Sequence, residues 1–99
     1  MNLKIGNVVT LTTSILGNNP GTRGVVFNTY TDFDDNTKEG VSIIFENGEY
    51  DGFSYEEQKI FLQLEDVKFI PFYIREYKFS NVIKLSRDFE NGLWDDIFN

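Results

Sequence analysis

Val41-Ser42-Ile43-Ile44-Phe45-Glu46-Asn47-Gly48-Glu49-Tyr50-Asp51-Gly52-Phe53 is the stretch whose reading decides the fold class. Two short runs rich in β-branched and aromatic residues flank Asn47-Gly48. That dipeptide is a strong hairpin signal, because a two-residue type I′ turn needs positive φ at both central positions. The expectation is therefore an antiparallel hairpin closed by Asn47 and Gly48 alone.

Upstream, the same punctuation repeats. Asn7 to Thr12 reads as a strand, and Gly17-Asn18-Asn19-Pro20-Gly21 as a loop. Gly24 to Tyr30 reads as a second strand, with Val25 and Phe27 on one face and Val26 and Tyr30 on the other. A polar, acidic loop runs from Thr31 to Gly40.

Downstream, Ser54-Tyr55-Glu56-Glu57 has capping-box spacing, which predicts a short helix over Tyr55 to Leu62. Leu64 to Ile70 follows as a strand ending at Pro71, and Phe72 to Phe79 alternates loosely as another. The period then changes, with Val82, Leu85, Phe89, Leu93 and Ile97 spaced by three and four as on one helix face. Asn91-Gly92 breaks that run, predicting one helix over Asn81 to Glu90 and a second over Leu93 to Phe98.

Composition narrows the function classes. The 99 residues contain neither His nor Cys. Ser-His-Asp and Cys-His nucleophile pairs, His or Cys zinc sites and disulfides are thereby excluded. Hydrophobic residues make up 40% of the chain and aromatics 16%, enough to fill a core. No run approaches the roughly 18 to 20 apolar residues of a membrane span, and Met1 to Gly6 lacks an apolar signal core, so a cytoplasmic protein is expected.

Residues 5-31 carry a resemblance. Ile5-Gly6-Asn7-Val8-Val9-Thr10-Leu11, then Pro20-Gly21-Thr22-Arg23-Gly24-Val25-Val26-Phe27, resembles the start of small SH3-like barrels of the KOW and Tudor kind, with a Gly-x-x-Gly-x-Val turn between two strands. The resemblance extends over roughly residues 4-68. It implies a barrel of about five strands over 1-70, with 71-99 as a strand and helical extension of the same domain, a mainly β (α+β) fold. KOW-type domains also imply contact with RNA or with transcription and ribosomal proteins through basic loops. This chain has only Lys4 and Arg23 near the corresponding loops.

The formal charge of -7 is unevenly placed. Residues 32-66 hold eleven acids against Lys38 and Lys59, whereas residues 67-87 hold five cations against Glu76. An acidic middle beside aromatics suits a basic protein partner. The candidates for that contact are Asp32, Asp34, Asp35, Glu49, Tyr50, Asp51 and Tyr55.

A competing reading uses Tyr73, Arg75, Tyr77, Lys78, Lys84 and Arg87 to stack on and neutralise single-stranded nucleic acid. Tyr50, Tyr55, Tyr73, Tyr77 and Trp94 are expected at the surface, and Phe27, Phe45, Phe53, Phe61 and Phe89 in the core.

Asp32-Phe33-Asp34-Asp35-Asn36 fails as an EF-hand, because its sixth position is Thr37 and its twelfth Ile43. Glu46, Glu49 and Asp51 could in principle form a catalytic carboxylate pair, but they flank a turn, and a small barrel leaves little room for a cleft. The expectation is a non-enzymatic, acidic protein-binding module without metal, cofactor or membrane contact, in the manner of an inhibitor or immunity protein. The nucleic-acid- or ribosome-associated domain is its alternative.

Overall fold

The computed structural model describes residues 2-15, 17-69, 82-92 and 94. Five antiparallel strands form one mainly β sheet: β1 (Asn7–Leu11), β2 (Arg23–Thr31), β3 (Glu39–Phe45), β4 (Tyr50–Phe53) and β5 (Leu62–Phe69). Helix α1 (Tyr55–Phe61) joins β4 to β5, and α2 (Val82–Glu90) follows. The spatial order is β4-β3-β2-β1-β5. Strands β4 and β5 are the two edges, so the sheet is open where a closed barrel was expected. The expected strand over 72-79 and the second helix over 93-98 lie outside the described residues, Trp94 apart.

Each face of the sheet collects its own apolar layer. Leu3, Val9, Leu11, Val26, Val41, Ile43, Phe45, Phe53 and Leu62 form one core, with Phe61 packed half-buried against it. Val8, Val25, Phe27 and Ile44 form the other, closed over by Leu85 of α2 and by Trp94. Antiparallel sheets commonly leave one face wet and alternate apolar with polar residues. Here β3 is buried from Gly40 through Phe45, because both faces are covered. Trp94 was expected at the surface and is instead fully buried, since its indole lies on the sheet face that α2 also covers.

The hairpin departs from its expected form by one residue. Phe45 N–H donates to Glu49 O at 2.8 Å, and Gly48 N–H donates to Phe45 O at 2.8 Å. Three residues, Glu46, Asn47 and Gly48, therefore make the loop. Gly48 supplies the positive φ, at +89°. This is a turn followed by a glycine bulge, the next most common solution after the two-residue turn. Asn47 stabilises it through its side chain, Oδ1 accepting from Glu49 N–H at 3.0 Å.

A second irregularity lies in β2, where the register against β3 shifts between Val26 and Asn28. Val25 pairs with Ile44 and Val26 with Ile43, but Tyr30 pairs with Gly40. Gly40, Ser42 and Ile44 share a face of β3. The bulge thus carries Tyr30 to the same face as Val25 and Ile44, opposite to the side that strict alternation from Val26 gives it.

Helix α1 begins as its capping box requires. Ser54 Oγ accepts from Glu57 N–H at 3.2 Å, and Glu57 Oε1 accepts from Ser54 N–H at 2.9 Å. Buried Gln58 ties the helix to the sheet, its side-chain amide donating to Glu39 O and Phe53 O. Among the described residues no helix is long and apolar enough to cross a membrane.

Candidate partner-binding site

The site is built on the far end of β2, where the bulge delivers Tyr30. Its ring crosses Gly40 of β3 so closely that a Cβ there would lie 2.3 Å from the ring. The phenol reaches to Gly52 of β4, where a Cβ would sit 3.1 Å from the hydroxyl oxygen. Glycine at both places lets an aromatic ring lie flat across two strands.

Phe33 continues the surface from the loop after β2, its ring centroid 6.1 Å from that of Tyr30 and tilted by 42°. It is 96% exposed. Tyr50, 40% exposed at the start of β4, lies on the other side. With Thr31, Asp51 and Gly52, these three rings line a largely apolar, open hollow of about 520 Å³.

Asp51 lines it, and exposed Asp34 follows Phe33 on the loop. The Tyr30 hydroxyl has its pKa raised, first by partial burial and then by the negative charges of Glu57, Asp32 and Asp51. Asp34 and Asp51 have no cationic partner among the described residues. The aromatic floor therefore sits in a negative field.

The candidates from sequence separate into groups. Tyr50 and Asp51 line the hollow, Asp34 is exposed beside Phe33 on the loop, and Glu49 is exposed just before Tyr50. Asp32 is not available for contact. It is 5% exposed, Oδ1 accepts from Asp34 N–H at 2.8 Å, and Oδ2 accepts from Tyr55 N–H at 2.7 Å. These backbone bonds, that to Tyr55 foremost, lower its pKa.

Asp35 is likewise turned to its own loop, Oδ1 accepting from the hydroxyl and the N–H of Thr37, which lower its pKa in that order. The loop closes on itself through Asp32 N–H donating to Lys38 O at 3.0 Å. Asp32 and Asp35 thus satisfy donors of the loop and of α1, and among the described residues no group of three or more His, Cys, Asp or Glu side chains could hold a metal ion.

Tyr55 stands apart from the aromatic hollow. Lys38 Nζ and Lys59 Nζ lie 5.0 and 4.7 Å from its ring centroid. Both cations already use its π face. Of the nucleic-acid candidates, only Lys84 and Arg87 fall among the described residues, both on α2. Arg87 is exposed and lines a second hollow with Tyr50, Ile83, Ser86 and Glu90. Tyr73, Arg75, Tyr77 and Lys78 lie outside the described residues.

Sequence reasoning missed Tyr30 and Phe33. Phe33 carried a usable signal, as a lone large apolar residue flanked by Asp32, Asp34 and Asp35 has no core-facing pattern to join. Tyr30 carried none, because the bulge that moves it to the opposite face of the sheet depends on pairing with β3. No family model, curated protein or solved structure matches the chain.

Proposed function

We propose that the chain is a non-enzymatic, acidic protein-binding module that engages a basic partner through the Tyr30, Phe33 and Tyr50 surface. The observation that carries this reading is an exposed aromatic floor beside Asp34 and Asp51, two carboxylates without a cationic partner among the described residues. Aromatic side chains are enriched where interfaces form, and complementary charge accelerates encounter and suppresses wrong partners. In its concrete form the module acts as an inhibitor or immunity-type protein, occupying a cationic groove of its target by charge mimicry in the cytoplasm.

The SH3-like barrel belongs to the same proposal. The order β5-β1-β2-β3-β4, a bulge that bends the long β2, and a helix between the last two strands support it. The open sheet then corresponds to a barrel whose two edge strands, β4 and β5, share no ladder.

A basic partner purified from a nuclease-treated lysate tests the function. Asp34→Asn with Asp51→Asn should slow its association by about tenfold at 50 mM salt, with a smaller effect at about 200 mM. Asp32 is left intact so that the fold is not disturbed. An unchanged association rate, or capture that disappears with nuclease treatment, would overturn the reading.

A further inference from the structure

We infer that the aromatic hollow takes one large apolar side chain of the partner, presented between lysine or arginine residues that meet Asp34 and Asp51. This rests on the protein-binding reading above and specifies what that partner must carry.

Charge alone does not describe this surface. Phe33 is held out on a loop that closes on itself, with its ring 96% exposed and tilted against that of Tyr30. Leaving such a ring in water is unfavourable in proportion to its apolar area, and covering it recovers that cost. The hollow of about 520 Å³ between Phe33, Tyr30 and Tyr50 has room for a phenylalanine or leucine side chain, whose insertion would bury all three rings. A buried apolar anchor encircled by polar contacts is the usual anatomy of an interface hot spot.

The rim then selects what flanks the anchor. Asp51 lines the hollow and Asp34 adjoins Phe33, and neither has a cationic partner among the described residues. An acidic segment would bring like charges together over a low-dielectric floor, whereas a basic one neutralises them.

Addition of a partner strand to β4 is the competing use of this edge. The Gly52 N–H in the middle of β4 already donates to Asp51 Oδ1 at 2.8 Å, so a backbone donor of that strand is engaged by its own side chain. Insertion of a side chain leaves that bond in place.

Three peptides separate the contributions: Lys-Lys-Phe-Lys-Lys, Lys-Lys-Ser-Lys-Lys and Glu-Glu-Phe-Glu-Glu, each titrated into the full chain and followed by NMR. The first should shift the resonances of Tyr30, Phe33, Tyr50 and Asp51. The serine peptide should bind about tenfold more weakly, and the acidic peptide not measurably. Phe33→Ala should remove the advantage of phenylalanine over serine, and as a nearly fully exposed residue it can be replaced without unfolding the chain.

Equal binding of the two basic peptides would overturn the apolar anchor while leaving the acidic module standing. Equal binding of the acidic peptide would overturn the charge selection in both. Shifts that map away from the hollow would overturn the site.

Discussion

Gly48 joins two structural demands that act on one residue. Its φ of +89° closes the three-residue hairpin loop, and a Cβ on it would approach the Phe89 ring of α2 to 2.9 Å. Gly48→Val should destabilise the protein by on the order of 1 kcal/mol or more, read from denaturant midpoints, because it strains the turn and pushes against the helix. Asp32 makes a different prediction. Its carboxylate accepts two backbone N–H bonds, so its folded-state pKa lies below the unfolded value of about 3.9. The unfolded chain therefore takes up this proton first as pH falls. The stabilisation is complete above the unfolded pKa and is lost as pH drops through the folded one. Urea titrations between pH 7 and pH 2 should show a shallower acid-side loss of stability in Asp32→Asn than in the parent, and parallel curves would contradict the assignment. The capping box was legible at this scale because Ser54 and Glu57 act within one turn of chain. The structural use of Asp32 was not, since its partner Tyr55 lies 23 residues away.

At the scale of elements, α2 turns a one-faced sheet into a two-faced one. Leu85 and Trp94 close the layer formed by Val8, Val25, Phe27 and Ile44. Leu85 is fully buried, so Leu85→Ala should cost about 2 to 5 kcal/mol in equilibrium unfolding. An unchanged midpoint would mean that α2 does not hold the sheet. The spacing of Leu85 and Phe89 predicted a helix here, and Val82–Glu90 is helical. The strand positions were legible too, because short β-branched runs between Gly, Asn and Asp clusters are local signals. The register shift in β2 was not, because a bulge is fixed by two strands together. It also decided the face of Tyr30, and with it the aromatic half of the candidate site. Trp94 was misplaced for the same reason: the sheet face that α2 and Trp94 share is assembled only after the strands have paired.

Across the whole molecule, eleven of the sixteen acids fall within residues 32-66, the stretch that also supplies Phe33, Tyr50 and Asp51 to the aromatic hollow. The composition made the acidic character plain, while the meeting of Tyr30, Phe33 and Tyr50 needed the paired strands. A protein-binding module built this way should repel polyanions. The most direct test is the binding of a single-stranded DNA or RNA oligonucleotide at about 50 and 200 mM salt, a range over which phosphate contacts change affinity steeply. No binding is expected at the lower salt. Micromolar binding that persists at the higher salt would contradict it and favour the basic 67-87 segment as the working surface.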